Sequence, residues 1–215
     1  MSLVSLQDVF EQIEPDIPLA GSALVMQKLR DTARDFCQFS RGWQWDAPLA
    51  SVVANQESYN IVTLGDSEPV TILYMSVDGT EVFPKDTAWL DMNITGWRTA
   101  SGDDFRFYTQ ESRRTFRFPS IPLTAKANAI FYRLALKPGP SSDEIDEDVW
   151  SDWYDVLGAG TKSRLMMMPN KPWSDARTGA FHGRVYEIGR AKARIRYNKN
   201  FTDVEQSFHS TRRFA

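Results

Sequence analysis

Apolar positions along the chain recur with a helical period, then a strand period, then a helical one again. In the opening stretch VSLQDVFEQIEP, Val9, Phe10 and Ile13 share one face of a predicted first helix. Ser5 is placed to cap it, Asp8 sits at its third position, and Val4 can staple onto Val9. Pro15 and Pro18 end it. A second helix is predicted over Ser22–Ser40, with Val25, Leu29, Ala33, Phe36 and Cys37 at helical spacing. It stops at Arg41-Gly42, and Trp43 and Trp45 then pack back on it or start a strand.

From residue 48 to about residue 137 the segments become short, β-branched and aromatic: SVVANQESYNIVTL, EPVTILYMSVDGTEVFP, TFRFPSIPL and NAIFYRLAL. Val77-Asp78-Gly79-Thr80 is a hairpin signal, since Asp-Gly supplies the two positive φ values of a tight turn. DFRFYTQESRRTFRF reads as a second hairpin, with Phe105, Phe107, Phe116 and Phe118 alternating. Pro119 and Pro122 mark an edge or loop. The block predicts an antiparallel β domain, a sandwich or open barrel.

KPGPSSDEIDED, residues 137–148, reads as a linker, with Ser141 and Glu144 spaced as a capping box. A third helix continues to about Met167, with Val149, Trp153, Val156 and Gly160 on one face and Trp150, Tyr154 and Leu157 beside it. Gly158 and Gly160 permit close helix approach. RLMMMPNKPW then turns the chain. Leu165 and one or two of Met166, Met167 and Met168 finish the helix and fill the bundle's end, leaving one Met for a neighbour. At the corner of Met168 and Pro169 the proline stops the helix, Pro172 stiffens the turn, Trp173 folds back, and Ser174 or Asp175 caps the next helix. This fourth helix, about 175–197, is roughly 35 Å long. Phe181, Val185, Ile188 and Ile195 form its apolar stripe, and Arg184, Arg190, Lys192, Arg194 and Arg196 cover much of the rest. Residues 200–215 show no helical period and read as an extended arm.

The fold class expected is therefore α+β: a four-helix bundle with an inserted antiparallel β domain and a C-terminal arm. Residues 1–46 and 138–199 supply the helices, and 47–137 the β domain.

Composition adds one asymmetry. Residues 1–160 hold 13 Lys and Arg against 24 Asp and Glu, whereas residues 161–215 hold 12 against 4. Either the two ends contact each other, or the basic end meets a separate acidic partner. No apolar run approaches the roughly 20 residues of a membrane span. The N-terminus lacks a basic secretory n-region, and the single cysteine, Cys37, fits a reducing cytoplasm.

Chemistry is sparse. The two histidines, His182 and His209, accompany no nucleophile pattern, and there is no Gly-rich phosphate loop. Cys37 lies on a core-facing helix position. The acids Asp143, Glu144, Asp146, Glu147 and Asp148 lack the spacing of a calcium loop and suit a helix N-terminus. The basic helix carries no base-reading motif, so contact with an acidic protein, or passing contact with a phosphate backbone, is expected over sequence-specific DNA binding. No cofactor and no metal is expected. Phe201, Phe208, Arg212, Arg213 and Phe214 of the arm are anchor types common in interface hot spots.

The string LGAGTKSRLMMMPNKPWSDARTGAFHGRVYEIGRAKARIRYNKNF and the ending STRRF resemble the C-terminal half of bacteriophage head-to-tail adaptor (connector) proteins. The resemblance rests on Gly158, Ala159, Arg164, Leu165, Met168, Pro169, Lys171, Pro172 and Trp173, then Arg184, Ala191, Ala193, Arg194 and Phe201, then Arg212, Arg213 and Phe214. Upstream, LRDTARDFCQFSRGWQW is similar to the family's second helix and its exit. The overall plan resembles the tail-tubular-protein-A type of podovirus adaptor. The resemblance implies a virion neck protein without catalytic activity, assembled in the host cytoplasm. Such adaptors form rings, usually of twelve copies, beneath the portal protein. They extend the channel through which double-stranded DNA passes, and present a platform to a tail nozzle or tail terminator protein. The arm would dock on the portal, and Arg184, Arg190, Arg194 and Arg196 would face a partner. The alternatives are another neck or tail role, such as a tail terminator or tail-tube component, a hydrolase, and a DNA-binding regulator, which the net negative charge disfavours.

Overall fold

The computed structural model describes residues 2–199. Over this span the chain is α+β. The N-terminal strand β1 (Leu3–Ser5) leads to α1 (Gln7–Ile13), a single 3₁₀ turn (Glu14–Asp16) and α2 (Ser22–Ser40). Strands β2 (Trp43–Asp46), β3 (Ala50–Val52), β4 (Tyr59–Asn60), β5 (Ser67–Val77), β6 (Thr80–Glu81) and β7 (Phe83–Pro84) come after it. Next are α3 (Thr87–Asn93), β8 (Phe107–Ser112), β9 (Thr115–Arg117), β10 (Lys126–Pro138) and β11 (Glu144–Asp146). The helices α4 (Glu147–Met166) and α5 (Ala176–Asn198) close the described chain.

Helix α2 forms where its pattern predicts, and Val25, Leu29, Ala33, Phe36 and Cys37 are all buried. It ends at Arg41, whose left-handed φ of 56° lets its N–H bond Cys37 O at 2.9 Å. Gly42 comes next because a Cβ there would run into the Tyr197 ring of α5. Trp43 and Trp45 start a strand, β2.

Strand β10 is the spine of the larger sheet, ordered β2-β10-β5-β6 with β3 also on β10. Its alternate residues Ile130, Tyr132, Leu134 and Leu136 are buried, and α2 packs against it. The Asp78-Gly79 turn joins β5 to β6 with φ of 51° and 76°, as the hairpin signal requires. The smaller sheet is ordered β4-β9-β8-β7, and β8 and β9 form the second expected hairpin. Its rings meet the larger sheet through Phe116 and Tyr132, 6.0 Å apart. One buried apolar cluster runs without interruption from Leu6 and from Val9 of α1 through Phe36 to Leu134 and Phe116.

Several local expectations are corrected. The pair β7–β8 is parallel, so the block is not wholly antiparallel. Helix α3 was not legible as an element; Asp86 caps it, accepting from Trp89 N at 2.7 Å. Residues 3–5 pair with residues 144–146 as a two-stranded sheet, Val4 opposite Ile145. Val4 therefore lies in a strand, and Leu6, not Ser5, stands at the N-cap position of α1, although Ser5 Oγ accepts the Gln7 N–H at 3.1 Å. The Ser141–Glu144 capping box gives way for the same reason. Glu144 is extended, and Asp146 caps α4 by accepting from Val149 N. Cross-strand pairing satisfies both ends of these backbones at once, which an isolated cap does not.

Candidate functional site

The helices α1, α2, α4 and α5 pack on one another, and the RLMMMPNKPW corner fixes how α5 leaves α4. Helix α4 ends at Met166, with Met167 as its C-cap. Met168 precedes Pro169 and is steered away from helical geometry. Asn170 takes a φ of 58°, a conformation Asn tolerates. Met166, Met168 and Trp173 pack against the core, whereas Met167 is 54% exposed. Asp175 caps α5, accepting from Arg177 N at 3.0 Å, Thr178 N at 3.1 Å and Thr178 Oγ1 at 2.6 Å. These bonds, the Thr178 hydroxyl first, hold its carboxyl below the usual range.

Helix α5 buries a different face from the one its pattern predicts. Its inward residues are Gly179, Tyr186, Gly189, Ala193 and Tyr197. A Cβ on Gly189 would lie 2.6 Å from Val156 of α4, and one on Gly160 would lie 2.6 Å from both Thr32 and Tyr186. Small residues thus bring α5 close to α4 and α2. The predicted stripe points outward: Phe181 is 62% exposed, Val185 38%, Ile188 56% and Ile195 59%. The glycines carried the usable signal, since Gly179, Gly183, Gly189 and Ala193 recur along the helix with Tyr186 and Tyr197 as its large inward side chains.

The four cations expected to face a partner divide into two pairs. Arg190 lies 3.0 Å from Asp35 of α2 and 2.6 Å from Glu187, with its guanidinium 4.4 Å from the Phe39 ring centre. Arg196 lies 3.1 Å from Asp152 of α4. These two hold the helices together. Arg184 is exposed and makes no ion pair among the described residues, and Arg194 is exposed above the Phe39 ring at 5.2 Å. Asp35 is the hub. It also lies 3.3 Å from Arg164 and accepts from the Tyr186 hydroxyl at 2.7 Å. Burial first, then the Asp35 carboxylate, pushes the Tyr186 phenol up. Lys162 pairs with Asp16. Part of the charge asymmetry is therefore neutralised within the molecule, acids of the first 160 residues holding bases of the remainder. Phe201, Phe208, Arg212, Arg213 and Phe214 lie outside the described residues.

Reactive chemistry does not gather at this surface. Cys37 is fully buried, and burial pushes its thiol up, away from the nucleophilic thiolate. Burial and then Lys162 pull His182 below its ordinary value. The linker acids are engaged separately: Asp143 with Arg30 at 2.6 Å, Asp146 as a cap, Glu147 with Ser2. No group of three His, Cys, Asp or Glu side chains is arranged to hold a metal among the described residues. A cavity of about 330 Å³ beneath the end of α5 is lined by Gln44, Leu73, Tyr74, Arg133, Tyr197 and Asn198, without a carboxylate, thiol or imidazole. No described helix is long and apolar enough to cross a membrane. No protein-family model matches the chain, and no curated protein matches it.

Proposed function

We propose that this chain is a head-to-tail adaptor of a bacteriophage neck, a structural protein that forms a ring under the portal and carries the tail. In this reading α1, α2, α4 and α5 form a four-helix bundle, the strands between α2 and α4 are its insertion, and residues 200–215 are the portal-docking arm. The observation that carries it is the outward face of α5. Four apolar side chains line 181–195 beside exposed Arg184, on the helix that leads directly into the arm. A surface of this composition suits association. Of the motif residues that resemble the adaptor family, some serve the α4–α5 corner and others the packing of α5 further along. Leu165 and Ala193 are buried, and Met168 and Trp173 pack at the corner. The partners are further copies of the chain, probed as a twelvefold ring, then the portal and a tail nozzle or terminator, with DNA passing through without being read.

The test is electron microscopy of the protein mixed with portal-bearing heads. Full-length chain is expected to add a ring or cap at the portal vertex. A chain lacking 201–215 is expected to remain folded and to fail to join. Normal joining by the truncated chain would remove the arm from the docking role, and no density at the vertex from the full chain would remove the adaptor role.

A further inference from the structure

We infer that the outward stripe of α5 is the seat of a second copy of this chain, which presents to it the acidic elbow formed by α1, the 3₁₀ turn and residues 17–21. The inference deepens the adaptor reading, on which the ring geometry rests, by naming the two surfaces that meet.

The stripe has the spacing of a helix–helix seam. Phe181, Val185, Ile188, Lys192 and Ile195 step by four, three, four and three residues, the 3.5-residue period that keeps one line of side chains facing a partner. All five are exposed, as are Arg177 and Arg184 on the same helix. An apolar line with a basic rim cannot pair with its own image, because a twofold α5–α5 contact would bring like charges together. Its complement is an apolar knob with an acidic rim.

The elbow is such a surface. Asp8, Glu11 and Glu14 are exposed on it, and Asp8 and Glu11 make no ion pair among the described residues. Pro15 and Pro18 are exposed beside them, and Leu19 stands 77% exposed at a φ of 81°. A leucine held in the left-handed region with its side chain in solvent is an unfavourable arrangement for a free surface. It becomes intelligible as a knob that inserts into a neighbour. Both α1 and α5 pack on α4, so one copy carries both surfaces on one rigid layer. Two different surfaces meeting head to tail generate rings when the rotation closes, whereas a twofold contact stops at a dimer.

Cysteine cross-linking on the full chain tests this. Cys37 is buried and contributes little background. Chains carrying Ile188→Cys are mixed with chains carrying Glu11→Cys and oxidised gently. The disulfide-linked heterodimer is expected about tenfold above that from Ile188→Cys mixed with the exposed control Met92→Cys. Adding Arg184→Glu to the first chain is expected to lower the yield, and adding Asp8→Arg to the second to restore it. Equal yields in the two mixtures would overturn the proposal. So would a dominant Ile188→Cys homodimer, which would mean a twofold α5 contact. No portal is present in this experiment. Cross-linking without vertex density leaves the interface standing and removes the adaptor role; vertex density without cross-linking does the reverse.

Discussion

Helices α2 and α5 both carry an apolar stripe at helical spacing, and only that of α2 faces the core. In α2 Val25, Leu29 and Phe36 supply the bulk, and with Ala33 and Cys37 each reaches zero exposure against the sheet and the other helices. In α5 the large aliphatic residues lie opposite a line of Gly, Ala and Tyr, and that line is what the core accepts. The difference is one of approach distance. Gly160 and Gly189 let the α4 and α5 backbones come close enough that any Cβ at these positions would collide. Two tyrosines then supply the apolar bulk that Phe181 and Ile188 would otherwise have supplied. Hydrophobicity marks a face that is to be covered; it does not say whether the cover comes from the same chain.

The largest effect is expected on the α2 side. Leu29→Ala removes a fully buried side chain and should cost about 2–5 kcal/mol, read as a lowered denaturant midpoint with an unchanged slope. A cost below about 1 kcal/mol would mean that α2 does not anchor the core as its burial implies.

A second, pH-dependent effect comes from the cap of α4. Asp146 is 2% exposed, and its pKa is pushed up to about 6, chiefly by burial and further by Asp148, against the lowering effect of the Val149 N–H bond. Because the folded value lies above the unfolded one, the folded state binds the extra proton between about pH 4 and pH 6. This group's contribution to stability is thus fully favourable below about pH 4 and is lost as pH rises through about 6. Asp146→Asn keeps a capping oxygen and cannot ionise. It should be more stable than the parent at pH 8 by on the order of 2 kcal/mol and converge with it towards pH 4. Parallel pH–stability curves for the two proteins would contradict this assignment.

Much of this was legible in the chain, and the failures have common physical causes. The limits of α2, the Asp78-Gly79 turn, the β8–β9 hairpin and the Asp175 cap arise from backbone conformations and hydrogen bonds made within a few residues of chain. Long-range pairing overrode local chemistry at the N-terminus. Ser5 and Glu144 have the right types for caps, yet they lie opposite each other in the β1–β11 pair. Helix α3 spans only seven residues, too few for a period to declare itself, and depends on Asp86 and on Trp97 bonding Asp91 at 2.8 Å. At the candidate surface the residue types were visible and the orientation was not. Arg190 and Arg196 resemble Arg184 and Arg194 in sequence. Only the positions of Asp35 and Asp152 on other helices assign the first two to internal ion pairs.

The smallest expected effect separates the two helices most sharply. Ile188→Ser replaces an aliphatic side chain, as Leu29→Ala does, but at a position 56% exposed. Isoleucine and serine have similar helix propensities, so the backbone contributes little. Measured in dilute solution, where copies are separate, the substitution should change stability by no more than about 0.5 kcal/mol. At higher concentration the same variant should associate less than the parent, because the seam has lost one of its apolar steps. The two measurements discriminate between causes. A loss of about 2 kcal/mol in the dilute protein would mean that the stripe is covered by its own chain, and the contrast with α2 would disappear. A null effect on both stability and association would mean that the stripe is an ordinary exposed surface. Unchanged stability with weakened association is the result that makes the outer face of α5 a core position of the assembly.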